Sequence, residues 1–152
     1  MSNLLQDGYN IIDGYRLQQD EKCSEYFERY LSIINPERIL ELGTANGGLT
    51  NILRKLIDCP ILTVEQNKEI IDPRTYNNAE VVIGDFFSTT FIDHTLIPFI
   101  SLPGRTLVLC DAFNKIHQYR KFVRFIKPND VIAVHDYFPT IKYFNENIKG
   151  KR

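Results

Sequence analysis

Short, uninterrupted apolar runs alternate along this chain with stretches whose apolar residues recur every three or four positions. One run opens "RILELGTANGGLT", and the others lie in "PILTVEQ", "AEVVIGDFF", "RTLVLCDAF" and "VIAVHDYF". A run that does not alternate with polar residues reads as a strand buried on both faces. Between the runs, Cys23, Phe27, Tyr30, Leu31 and Ile34 predict an amphipathic helix over 20–35, stopped by Pro36. Leu49, Ile52, Leu53 and Leu56 predict a second helix, and Ile116, Tyr119, Phe122, Val123 and Ile126 a third. The polar stretch 67–79 predicts a short helix and a turn, and 88–104 a further helix. Strands separated by helices form a parallel sheet, so the expected fold class is α/β. It is a Rossmann-like doubly wound sheet of about five parallel strands with helices on both faces. The expected organisation is a single domain over 1–152, with a helical lead-in over 1–36, an α/β core over 37–139 and a tail over 140–152.

In such a sheet a ligand sits beyond the carboxyl ends of the strands, where strand order reverses. Glu41, Thr44, Glu65, Asp85, Asp111, His135 and Asp136 all fall at or just past predicted strand ends. A single acid there would be an ordinary helix cap or loop carboxylate. Recurrence at five strand ends marks a candidate site.

The first of these ends carries Gly43, Gly47 and Gly48, which allow left-handed backbone and close approach of a ligand. Glu65, at the end of the next strand, stands where a ribose-binding carboxylate belongs. Two ligand classes fit the pair: dinucleotides such as NAD, and S-adenosylmethionine. A dinucleotide calls for GxGxxG, whereas the order here is Gly43-Thr44-Ala45-Asn46-Gly47-Gly48. An acid at Glu41 would oppose a pyrophosphate and suit a sulfonium.

"ILELGTANGGLT", followed in order by "TVEQ", "VVIGDFF" and "LVLCDAF", resembles the class I S-adenosylmethionine-dependent methyltransferases over 38–137. With Ala45 in place of the middle glycine, it is similar to the small-molecule O-methyltransferase branch, including the catechol type and the cephalosporin hydroxylase-like group. The resemblance implies that Glu41, Gly43, Thr44 and Gly47 hold the methionine part of the cofactor. It assigns Glu65, with its neighbour Gln66, to the ribose and Asp85 with Phe86 to the adenine. Asp111 would border the cofactor. "GYRLQQDE" is similar to a lip that precedes the first helix in the cephalosporin hydroxylase-like group, which brings in Gln18 or Gln19.

The catechol-type branch holds a divalent cation, Mg or Mn. The matching positions are Asp111, His135 and Asp136. A histidine among the ligands suits Mn²⁺ better than Mg²⁺. The alternative is that Asp111 serves the cofactor or acceptor with no metal present. Methyl transfer from a sulfonium needs donor and acceptor in line and a group to take the acceptor's proton. Candidates are Lys115, His117, His135 and Asp136. The catechol-type lysine position is occupied by Asn114, with Lys115 following it.

Composition narrows the partners. Eighteen Lys and Arg against nineteen Asp and Glu, a net charge of -1, give no general attraction to nucleic acid or to a membrane surface. Three cysteines, Cys23, Cys59 and Cys110, lack CxxC spacing and have apolar neighbours, as buried thiols in a reducing compartment do. A cytoplasmic protein acting on a small-molecule acceptor is expected. The resemblance also implies two further strands after the fifth. If the sequence is complete, the fifth strand is expected to be an apolar edge, which a homodimer or a partner chain would cover; a chain cut short would account for it equally. Three functional readings follow: a methyltransferase, a cofactor-binding module with an incomplete acceptor site, and an NAD-dependent oxidoreductase.

Overall fold

The structure is a computed structural model that describes residues 4–6, 9–17, 19 and 22–134. Its centre is a five-stranded parallel sheet built from β4 (Arg38–Leu42), β5 (Ile61–Glu65), β6 (Glu80–Ile83), β7 (Thr106–Cys110) and β8 (Val131–Val134). The strand order is β6-β5-β4-β7-β8, and every pairing is parallel. Order reverses between β4 and β7, where two chain segments leave in opposite directions and open a crevice.

Strand alternation sorts the core into two layers. Ile39, Ile61, Leu107 and Leu109 face α1 (Cys23–Ile34) and α2 (Gly48–Leu56), packing on Leu31, Ile34, Ile52 and Leu53. Leu40, Leu42, Leu62, Val64, Val108 and Cys110 face the opposite side. There they meet Phe86, Ile92, Leu96, Ile100 and Phe122. Phe122 belongs to α5 (Lys115–Phe122). The rest come from the loop after β6 and from the segment 89–101, where α3 (Thr89–Phe91) and α4 (Ile97–Ser101) flank a π turn. Burial on both faces explains why these strands read as continuous apolar runs.

The predicted helices are present with shortened ends. α1 stops where Asn35 takes a left-handed conformation at φ 47° and donates its N–H to the Leu31 carbonyl, just before Pro36. Stretch 67–79 forms two 3₁₀ turns, Lys68–Ile70 and Pro73–Asn77, rather than a helix. The three cysteines are buried. Among the described residues no helix is long and apolar enough to cross a membrane.

The expected helical lead-in needs correction. Ahead of α1 lies a three-stranded antiparallel sheet, β1 (Leu4–Gln6), β2 (Tyr9–Ile12) and β3 (Tyr15–Leu17). Asp13 and Gly14, at φ 53° and 81°, form the two-residue turn between β2 and β3. This pairing matches the twist of a hairpin. The hairpin is tied to the large sheet's loops. The Arg74 guanidinium lies 4.2 Å from the Tyr15 ring centroid and donates to the Gly14 carbonyl, and Lys55 pairs with Asp13.

The start of α2 depends on a backbone that no side chain could adopt. Gly47 sits at φ 83°, and a Cβ there would lie 2.0 Å from Thr75 Oγ1. Gly47→Ala is therefore expected to cost about 2–4 kcal/mol, from left-handed strain plus overlap. Thr75→Ala in the same chain should recover most of the overlap share, since only the Thr75 Cβ at 2.9 Å remains, but not the backbone share. Urea unfolding of the single and double variants measures both.

Candidate functional site

The site assembles where β4, β5, β6 and β7 end. Pairing places Leu42 beside Val64 and Cys110, so the next residues, Gly43, Glu65 and Asp111, leave the sheet at one level. Gly43 N–H donates to the Val64 carbonyl at 3.0 Å and Asp111 N–H to the Leu42 carbonyl at 3.0 Å, continuing the ladder into the loops. At Gly43, φ is 108° and a Cβ would fall 2.7 Å from Ala112. The turn can pass β7 only as glycine.

Glu65 is held by main-chain donors. Its Oε2 accepts from Ala45 N–H at 2.9 Å, and its Oε1 from the N–H groups of Gln66 at 2.9 Å and Asn67 at 3.2 Å. The carboxylate thus bridges the glycine turn and the β5 tip. Ala45, where the resembled motif has its middle glycine, is left-handed at φ 47°, a conformation that alanine adopts only under strain. Gln66 reaches across to the β6 tip and donates to Asp85 Oδ1 at 2.9 Å, which also accepts from Phe87 N–H at 2.8 Å.

Two hollows meet at Asp111. A narrow crevice on the hairpin side is lined by Arg16, Gln19, Gly43, Thr44, Asn46 and Asp111 among others. A cleft of about 530 Å³ on the other side is lined by Glu65, Gln66, Phe86, Phe87, Asp111 and Phe113 with their neighbours. Such a volume suits a small molecule or cofactor. Asp111 accepts from Gln19 Nε2 at 2.7 Å and lies 3.8 Å from Lys115 Nζ. Its side chain is only 8% exposed. It also borders an apolar pocket of about 320 Å³ formed with Phe27, Tyr30, Leu49 and Leu109.

Most of the residues anticipated from sequence come together here: Gly43, Thr44, Glu65, Gln66, Asp85, Phe86, Asp111 and Lys115. Phe86 is also a core residue, 5% exposed. His117 is not among the residues lining the cleft. Its ring stacks on Phe87 at 4.6 Å and faces a neighbouring hollow. Of the two glutamines, Gln19 touches Asp111, while Gln18 lies outside the described residues, as do His135 and Asp136. Among the described residues no three His, Cys, Asp or Glu side chains cluster as a metal cage.

Glu41 is placed differently from the sequence expectation. Alternation along β4 turns it into the layer under α2, where it is fully buried and lines neither hollow. Thr50 Oγ1 donates to its Oε2 at 2.5 Å, and among the described residues its Oε1 has no close hydrogen-bond partner. Burial pushes its pKa up to about 8, opposed by the hydroxyls of Thr50 and Thr63 and reinforced by Asp111 and Glu65. Near neutral pH it is mainly uncharged, so the negative charge expected at Glu41 for repelling a pyrophosphate is missing. Asp111, facing both hollows, is the acid placed for that part. Nearby Cys110 is pushed up to about 12 by burial and by Asp111, which removes it as a nucleophile.

Sequence reasoning missed Arg16, which reaches the crevice from β3. The available signal was the Asp13-Gly14 pair between apolar neighbours, a hairpin mark that would have brought β3 alongside α2. Asn114, which stands in the lysine position, caps α5. It is left-handed at φ 65° and its side chain accepts from His117 N–H. Asparagine tolerates both demands and lysine does not.

No family model and no curated protein matches this sequence. Solved structures do. An apo structure of CmcI superposes with a TM-score of 0.68 at 19% identity, covering 90% of this chain and 60% of that one. A Mg-SAM structure of CmcI gives 0.66 at 18%, covering 91% and 61%. The fold is the Rossmann-like fold of class I methyltransferases. The O-methyltransferase TomG from Streptomyces achromogenes, involved in tomaymycin synthesis and solved with SAM, shares this methyltransferase fold. Its TM-score is 0.55 at 16% identity, with 88% of this chain and 70% of that one covered. The chain spans about three fifths of the CmcI chain in the first of these.

The buried Glu41 sets a pH dependence. The folded protein keeps a proton that the unfolded chain gives up above the ordinary value of 4.5. Stability therefore falls as pH rises from about 4.5 to about 8, by on the order of a few kcal/mol, and then levels. Glu41→Gln should remove most of that slope. Urea unfolding at pH 5 and pH 8 for both chains measures it.

Proposed function

We propose that this chain binds S-adenosylmethionine across the tips of β4, β5 and β7 and transfers its methyl group to an oxygen of a small-molecule acceptor. The observation that carries the reading is the Glu65 carboxylate, held by three main-chain donors beside a turn that has no room for a Cβ at Gly43 or Gly47. A carboxylate fixed in this way is preorganised for a diol such as ribose. The methyltransferase fold and the SAM named for CmcI and TomG support the same donor.

In this reading the methionine end lies in the crevice, between the glycine turn, Gln19 and the Arg16 guanidinium, which would meet its carboxylate. The adenosine end lies in the larger cleft, with Glu65 on the ribose, Gln66 and Asp85 at the base edge, and Phe86 and Phe87 against its plane. The sulfonium falls at Asp111, where both hollows and the apolar pocket meet. The acceptor oxygen forms its bond to the methyl carbon as the carbon–sulfur bond breaks. That electron pair stays on sulfur, leaving a neutral thioether. The acceptor's proton goes to the lone pair of Lys115 in its neutral amine form, which lies beside Asp111. His117, turned toward the other hollow, is the weaker candidate for that task.

Bound between acceptor and strand ends, a divalent cation would anchor the acceptor's oxygens. Asp111 has the hard oxygen donors that such an ion takes, and the Mg-SAM state of CmcI supports the reading. The further ligands belong to His135 and Asp136. A cytoplasmic protein, with a second copy covering the β8 edge, completes the proposal. Among the described residues β8 pairs only with β7, and its four apolar residues are half-buried.

Titration calorimetry with S-adenosylmethionine, S-adenosylhomocysteine and NAD tests the donor. The first two should bind at micromolar levels and NAD should not. Glu65→Ala should weaken binding at least tenfold, about 1.4 kcal/mol. Unchanged affinity in that variant, or tighter binding of NAD, would overturn the assignment. Methyl transfer to phenols, sugars and amines, with Mg²⁺, Mn²⁺ or chelator, then tests the chemistry. Lys115→Met should lower kcat with the donor affinity unchanged. Donor binding with no transfer to any acceptor leaves a binding module.

A further inference from the structure

A second hollow opens beside α5, adjoining the adenosine cleft at Asn114. It has a volume of about 580 Å³ and is lined by Asn114, Ile116, His117, Arg120, Lys121 and Arg124. His117, Arg120 and Lys121 stand at i, i+3 and i+4 on one face of the helix, Arg124 follows in the turn after its end, and the lining contains no carboxylate. Among the described residues Arg120, Lys121 and Arg124 form no ion pair with an acid. The hollow is therefore positively charged, and a ligand of opposite sign would balance that charge.

Aromatic and main-chain contacts hold three of the four groups in place. The His117 ring stacks on Phe87 at 4.6 Å. Lys121 Nζ donates to the Phe87 carbonyl and lies 5.6 Å from the Phe87 ring centroid. The Arg124 guanidinium lies 4.8 Å from the Phe125 ring centroid. Side chains already ordered lose little freedom on binding. Arg120 is exposed and at liberty to close on a ligand. Two guanidinium forks and an ammonium around one hollow match a tetrahedral oxyanion with several acceptor oxygens. The overall charge of -1 and the size of the hollow fit a small molecule rather than a nucleic-acid strand.

We infer that this hollow on α5 is a binding site for the phosphate group of a small molecule, separate from the methyl-donor cleft. Arg120 and Arg124 grip its oxygens, Lys121 supplies a fixed charge and His117 a ring donor, while Ile116 offers an apolar rim to the rest of the ligand. Phe87 of the adenosine cleft touches His117 and Lys121, and Asn114 lines both hollows, so the two ligands would lie in adjoining sites.

Calorimetric titration with pyrophosphate, at constant ionic strength made up with sodium chloride, tests the site on the unmodified chain and on Arg120→Ala/Arg124→Ala. Saturable submillimolar binding, weakened at least tenfold in the double variant, is expected. Both residues are exposed, so the variant's unfolding midpoint and its affinity for S-adenosylhomocysteine should be unchanged. Pyrophosphate binding no stronger than that of chloride, or equal in the two chains, would overturn the inference. Because the probe needs no methyl donor, the result stands apart from the assignment of the donor cleft.

Discussion

The contact of Glu65 with the glycine turn organises the rest of this site. One carboxylate takes N–H groups from Ala45, Gln66 and Asn67, pinning the first loop of the sheet to the tip of the neighbouring strand. The turn can come that close because Gly43 passes Ala112 with no space for a Cβ, and Gly47 does the same against Thr75. Replacing either glycine would move the turn away from Glu65. Removing Glu65 would leave three loop donors seeking water. The hollow between β4 and β7 and its polar lining follow from this arrangement.

Charge within the site is governed by which layer each acid enters. Glu41 and Asp111 are separated by one strand pairing, yet β4 turns Glu41 under α2 while β7 ends in time to leave Asp111 in the open crevice. Burial raises the first toward neutrality, so the acid at the junction of the two hollows is Asp111, braced by Gln19 and Lys115. A positively charged donor would meet it where the two hollows join. Gln19 also brings the hairpin into the site, since its carbonyl accepts from Asn10 of β2.

The sheet was legible in the sequence because its strands are buried on both faces and its helices on one, and these are the patterns that periodicity reads most directly. Glycines and strand-end acids were legible too, since turn chemistry and position after an apolar run are local properties. The orientation of Glu41 was not, because it depends on strand phase relative to α2. Nor was Arg16, which reaches the crevice only through the pairing of β2 with β3 and of that hairpin with 67–79. Short strands such as Tyr15–Leu17 carry too few residues to establish a period, and their only mark was the Asp13-Gly14 turn. The basic hollow on α5 escaped for a different reason. Its charges lie inside a stretch whose apolar residues had already identified it as a helix, and a charged helix face ordinarily means solvent.

The central claim is that a sulfonium cofactor lies across the strand tips between the glycine turn and Asp111. Backbone amide chemical shifts, followed as S-adenosylhomocysteine is added, test it most directly. The account predicts that the largest changes fall on Gly43, Ala45, Gln66, Asp111 and Ala112, with α1 and the far ends of the strands little affected. Changes confined to another surface, or none at saturating ligand, would contradict it.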